Sequence, residues 1–122
     1  MQVHSFYSSF EADLDGFYSV AQLSELPLFC RPVLKDGDAS RAAWIDGWTV
    51  EPTGDFVADM TTGRQYAEIA VAYARSKADP GFIEFVLSAM NIKTLIAEIT
   101  PGGIECGFFH RIAEIAYCGS MN

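Results

Sequence analysis

Apolar and polar positions follow two different periods along this chain, and the change of period divides it into three parts. Phe10, Leu14, Phe17 and Ala21 recur at helical spacing behind Ser8 and Glu11, a capping-box arrangement, and predict an N-terminal helix. Pro27 and Pro32 end helix and leave "LPLFCRPVL" extended. Between residues 28 and 60 the apolar runs shorten to "RAAWI", "WTV" and "DFVADM", separated by Asp36-Gly37, Asp46-Gly47 and Pro52-Thr53-Gly54. Asp-Gly between apolar runs signals a hairpin, so this stretch predicts a small antiparallel β-meander. Side chains alternate along a strand. Trp44, Trp48 and Val50 would therefore share one face, and Asp55 and Asp59 would share a face flanking Val57.

From residue 61 the period is helical. Thr62 and Gln65 form a second capping-box pattern, and Tyr66, Ile69, Ala70 and Tyr73 make an apolar stripe opposite Arg64, Glu68 and Arg75. Asp79-Pro80 pairs an N-cap with proline at the first helical position. The following "GFIEFVLSAM" is apolar on nearly every side, with Glu84 and Ser88 as its wet edge, and predicts a buried central helix. Ile92, Leu95, Ile96 and Ile99 fit either a further short helix or a strand. Thr100-Pro101-Gly102-Gly103 breaks the chain and opens the last helix. Together these elements predict one globular domain over residues 1–122, of α+β class: an N-terminal helix, a β-meander, and three to four C-terminal helices around a buried central one.

Composition agrees with an ordered globular chain, since half of the 122 residues are hydrophobic and a fifth are charged. No apolar run approaches the roughly 18 residues that span a bilayer, and "MQVHSF" lacks the basic-then-apolar order of a secretory signal. The cysteines, Cys30, Cys106 and Cys118, are odd in number. A reduced, cytoplasmic protein is the expectation.

Charge changes the picture more. The net charge is −8, and residues 1–60 carry ten acids against Arg31, Lys35 and Arg41. Such a chain repels phosphate backbones and anionic membranes, so neither nucleic acid nor membrane is an expected direct partner. Asp36, Asp38, Asp46, Glu51, Asp55 and Asp59 would gather on the compact β region, with Trp44 and Trp48 as aromatic anchors of an interface. These eight residues are the candidate binding site for a protein partner with a basic surface. Spaced carboxylates can imitate nucleic-acid phosphates, so the expected function is a small non-enzymatic binding or inhibitory module. It would mask a partner's nucleic-acid-binding surface in the manner of a mobile-element anti-defence inhibitor. A homodimer would be a further way to bury an apolar surplus.

The alternative is a small cytoplasmic enzyme or ligand-binding domain. On a helix, Cys106, His110, Glu114 and Cys118 form one stripe, and Cys106 with His110 at i and i+4 could activate a thiol or contribute two metal ligands. Glu114 lies too far along the axis to share that ion, and His4 is the only other histidine. No metal, cofactor or catalytic residue is therefore expected. On a helical wheel the apolar residues Ile104, Phe108, Phe109, Ile112, Ala113, Ile115 and Ala116 occupy the opposite arc, which places the stripe away from the core.

Overall fold

A computed structural model describes residues 26–34, 42–97 and 101–119 of the chain. Two short strands, β1 (Arg31–Leu34) and β2 (Ala42–Asp46), precede three helices: α1 (Phe56–Ser76), α2 (Gly81–Ala97) and α3 (Gly103–Gly119). The described chain is mostly helical, with helices of 21, 17 and 17 residues against strands of 4 and 5. This overturns the α+β architecture. Instead of a meander, the described residues form one antiparallel ladder, which pairs Arg31 with Asp46 and Val33 with Trp44. The predicted N-terminal helix lies outside the described residues.

"DFVADM" is helix where a strand is expected. It belongs to α1, because Asp55 takes an extended conformation and its carboxylate accepts from the amides of Val57 and Ala58, starting a helix six residues before Thr62. Apolar residues at 56, 57 and 60 suit a helix start as well as a strand, and the cap settles the choice. Residues 47–55, including "WTV", run as irregular chain. Residues 81–97 form one continuous helix, so Ile92, Leu95 and Ile96 extend α2 and make neither a separate helix nor a strand.

Phe29, Trp48, Phe108 and Tyr66 form the aromatic centre of the core. Phe29 lies 5.6 Å from Trp48 and 5.2 Å from Tyr66, and Trp48 meets Phe108 edge-on at 5.1 Å. Helix α2 contributes Phe82, Val86 and Met90, one residue per turn, all buried. Phe85 and Leu87 are only partly buried, and Ile92, Leu95 and Ile96 at the end of α2 are exposed. The central-helix expectation therefore holds for one stripe of α2 and not for its whole circumference. At the α1–α2 turn, Ala78 adopts φ 51° and Asp79 is buried with neither carboxylate oxygen hydrogen-bonded among the described residues.

The closest packing is between α1 and α3, which run parallel. Gly103 faces Phe56 and Asp59, Gly107 faces Met60, and Gly63 faces Ile104 and Phe108. A Cβ on Gly103 would lie 2.7 Å from the Phe56 carbonyl oxygen, and one on Gly63 or Gly107 would overlap the carbonyl group of Ile104 or Met60 outright. Farther along α1, Ala67, Ala70 and Ala74 are buried as well. Helix α3 is consequently turned by roughly a quarter turn from the orientation its apolar arc predicts, since one residue is ~100°. Ile104 and Phe108 are buried as expected, whereas Phe109, Ala113 and Ala116 are exposed.

Gly107→Ala tests this contact through its sign. Alanine should gain about 1 kcal/mol of helix propensity, while forcing a methyl against the Met60 backbone should cost about 3 kcal/mol or more. Denaturant unfolding should show net destabilisation of about 2 kcal/mol. A stabilised variant would mean that the two backbones do not touch.

Candidate functional site

The chain enters α1 through a clasp. Gly54 supplies the left-handed backbone of the turn at φ 92°. The Thr53 amide donates to both Asp59 carboxylate oxygens at 3.0 and 3.1 Å, and its hydroxyl donates to one of them at 2.8 Å. The same hydroxyl accepts from the Asp55 amide at 3.1 Å, and Asp55 accepts from the amides of Val57 and Ala58 at 3.1 and 3.3 Å. Asp59 is 3% exposed and sits against Gly103, so the clasp is tied to the α1–α3 contact. Hydrogen bonds from the Thr53 hydroxyl and amide hold the Asp59 carboxyl below the usual carboxylate range.

Residues 51–58 are nevertheless all exposed. Within this anchored stretch Phe56 and Val57 show 54% and 74% of their surface to solvent, flanked by Glu51 and Asp55. Large apolar side chains at a fixed, exposed helix start form a compact contact surface with a carboxylate on the loop before it and another at the helix cap.

The eight expected site residues lie in different settings. Asp36 and Asp38 lie outside the described residues. Trp44 is placed by its backbone in β2, opposite Val33. Trp48 belongs to the core at 2% exposure, where its indole N–H donates to Glu105 at 2.8 Å. Asp46 accepts from Lys93 at 2.6 Å and from the Trp48 amide at 3.0 Å. Burial pushes the Asp46 carboxyl up, but these donors outweigh it and hold the group below its usual value. Lys93 also donates to the Trp48 carbonyl, tying α2 to the strand end. Asp55 is a helix cap and Asp59 a buried clasp. Of the six carboxylates, Glu51 and Asp55 share the exposed stretch. Thr53, Phe56 and Val57 are the residues that sequence reasoning missed. The spacing of Asp55 and Asp59, one helical turn, was the available signal.

The stripe on α3 lies away from the core and borders α1, with His110 and Cys118 exposed and Cys106 and Glu114 partly buried. Arg64 donates to Nδ1 of His110 at 2.6 Å and to Glu114 at 2.8 Å, and Arg111 donates to Glu114 at 3.2 Å. A guanidinium carries N–H donors and no acceptor, so Nδ1 is the acceptor in this contact. Hydrogen bonds from Arg64, then Arg111, hold the Glu114 carboxyl low. The His110 imidazole is thus oriented by Arg64, from a different helix, and not by Cys106. Cys118 is exposed, Cys106 half-buried and Cys30 buried. Burial, followed by the nearby Asp46 charge, pushes the Cys30 thiol up to about 12.

Two outcomes follow from these environments. In native protein at pH 8, Cys118 should react quickly with a thiol reagent and Cys30 only after unfolding, because under ~0.1% of such a thiol is ionised. Peptide mapping of the labelled protein checks this, and native labelling of Cys30 at the rate of Cys118 would refute the core placement. Asp59, with its pKa depressed by folding, contributes stability that is present above its unfolded value near 4 and disappears as pH falls through the folded value. Asp59→Asn should therefore lower the melting temperature at pH 7 and flatten its decline in acid. An unchanged acid limb would show that the clasp is not the acid-sensitive group.

No helix among the described residues is long and apolar enough to cross a membrane. Comparison with protein-family models, with curated proteins and with solved structures finds no match, so the functional reading rests on these residues.

Proposed function

We propose that this chain is a protein-binding module that engages a basic surface of its partner through residues 51–58. The observation that carries this reading is the pair Phe56 and Val57, held exposed on a clasped helix start directly after Asp55 and the loop that carries Glu51. Apolar anchors at the centre with carboxylates nearby match the anatomy of a protein interface, in which buried apolar contact supplies affinity and rim charge supplies steering. The net charge of −8 supports the choice of a basic partner, since long-range attraction raises the encounter rate. Preorganisation by Thr53 and Asp59 limits the ordering cost of binding. The Cys106–His110 alternative has less behind it, because Nδ1 of His110 already accepts from Arg64.

Capture from the native host's lysate with wild type and with Phe56→Ser/Val57→Ser tests the reading. Both residues are already exposed, so the double change should move stability by only about 0.5 kcal/mol. It should weaken partner binding by about tenfold or more. Glu51→Lys should lower the association rate, and more so at low salt than at high salt. A folded double variant that binds the captured partner as tightly as wild type would defeat the proposal.

A further inference from the structure

Helix α3 turns an uncharged face to solvent. Its exposed positions are Phe109, His110, Ala113, Ala116, Tyr117 and Cys118, with Phe109 46% and Tyr117 81% exposed and no Asp, Glu, Lys or Arg among them. The charged residues of the helix are engaged elsewhere. Glu105 accepts from the Trp48 indole, Glu114 accepts from Arg64, and Arg111 reaches Glu114 and Glu68. A surface helix ordinarily sends its charges outward, and here the reverse holds in a chain of net charge −8. Phe109, Ala113 and Tyr117 stand on successive turns in the order aromatic, small, aromatic. At 1.5 Å per residue the two aromatic positions are about 12 Å apart along the axis.

We propose that this face binds a second copy of the chain, as an antiparallel pair of α3 helices with its two-fold axis at Ala113. A two-fold contact must be self-complementary. Ala113 meets Ala113 on the axis, where a methyl lets the helices approach, and Phe109 of each copy packs on Tyr117 of the other. Charge selects this occupant. Two acidic copies repel wherever their acids meet, and this face brings none to the contact, while Glu68 and Glu114 beside it are balanced by Arg64 and Arg111. A basic partner gains no attraction from a face without carboxylates, so the surface proposed at residues 51–58 serves a different molecule and each proposal can fail without the other. Three helical turns from each copy bury less than about 1,200 Å² in total, the range of weak, reversible pairs.

Sedimentation velocity of the full chain over a concentration series tests this with no other partner present, in reducing buffer so that Cys118 forms no disulfide. A monomer–dimer equilibrium is expected, with a Kd on the order of 10 µM. Salt should tighten it, because screening weakens the repulsion between two copies of net charge −8, whereas a contact made of ion pairs would loosen. Ala113→Glu sets a carboxylate from each copy at the axis and should leave the chain monomeric. Tyr117→Ser should raise the Kd about tenfold. Both positions are exposed, so each variant should melt with wild type at concentrations where all three are monomers. A wild-type chain that stays monomeric, leaving the face to another molecule, would overturn the assignment. So would a dimer that Ala113→Glu leaves intact, or one that dissociates as salt rises.

Discussion

Backbone contact between α1 and α3, made possible by Gly63, Gly103 and Gly107, is the constraint on which the rest of this structure depends. Two helices normally meet through side chains at 8–10 Å between axes. Here the carbonyl groups of Met60 and Ile104 occupy space where side chains would stand, and larger residues on either helix would push them apart. The contact fixes the rotation of α3. That rotation sends Ile104 and Phe108 into the aromatic core, sets Glu105 beneath the Trp48 indole, and turns His110 and Glu114 toward Arg64. It also seats Asp59 against Gly103, which ties the exposed start of α1 to the interior.

Much of the helical half was legible in the sequence, because burial there follows side-chain hydrophobicity. Phe82, Val86 and Met90 repeat every four residues and are buried accordingly. The α3 rotation was not legible by the same logic. Glycine contributes nothing to an apolar arc, so a glycine contact face goes uncounted, and Gly102-Gly103 reads as a break when Gly103 is part of the interface. The middle of the chain failed for another reason. Short apolar runs between turn residues fit a strand or a capped helix start equally, and only the hydrogen bonds of Asp55 and Thr53 separate the two.

The acidic residues show how far a charge count departs from a surface. Asp46 neutralises Lys93, Asp59 closes a loop, Asp55 caps a helix, and Glu105 serves the Trp48 indole. Each carboxylate stabilises a junction between elements, and in this chain such work accounts for most of the described acids between 46 and 59. What remains exposed in this stretch is smaller and more mixed in character: an aromatic, a valine, and carboxylates close to them in the chain.

Because α1 and α3 run parallel, their first turns emerge at the same end of the described structure, each with a share of positive macrodipole. Asp55 and Asp59 stand at one of these ends and Glu105 at the other. Two aligned peptide dipoles therefore cancel part of the negative potential that these carboxylates would otherwise project. The field felt by an approaching molecule at this end is weaker than the formal charges imply, and it would sharpen if either helix frayed.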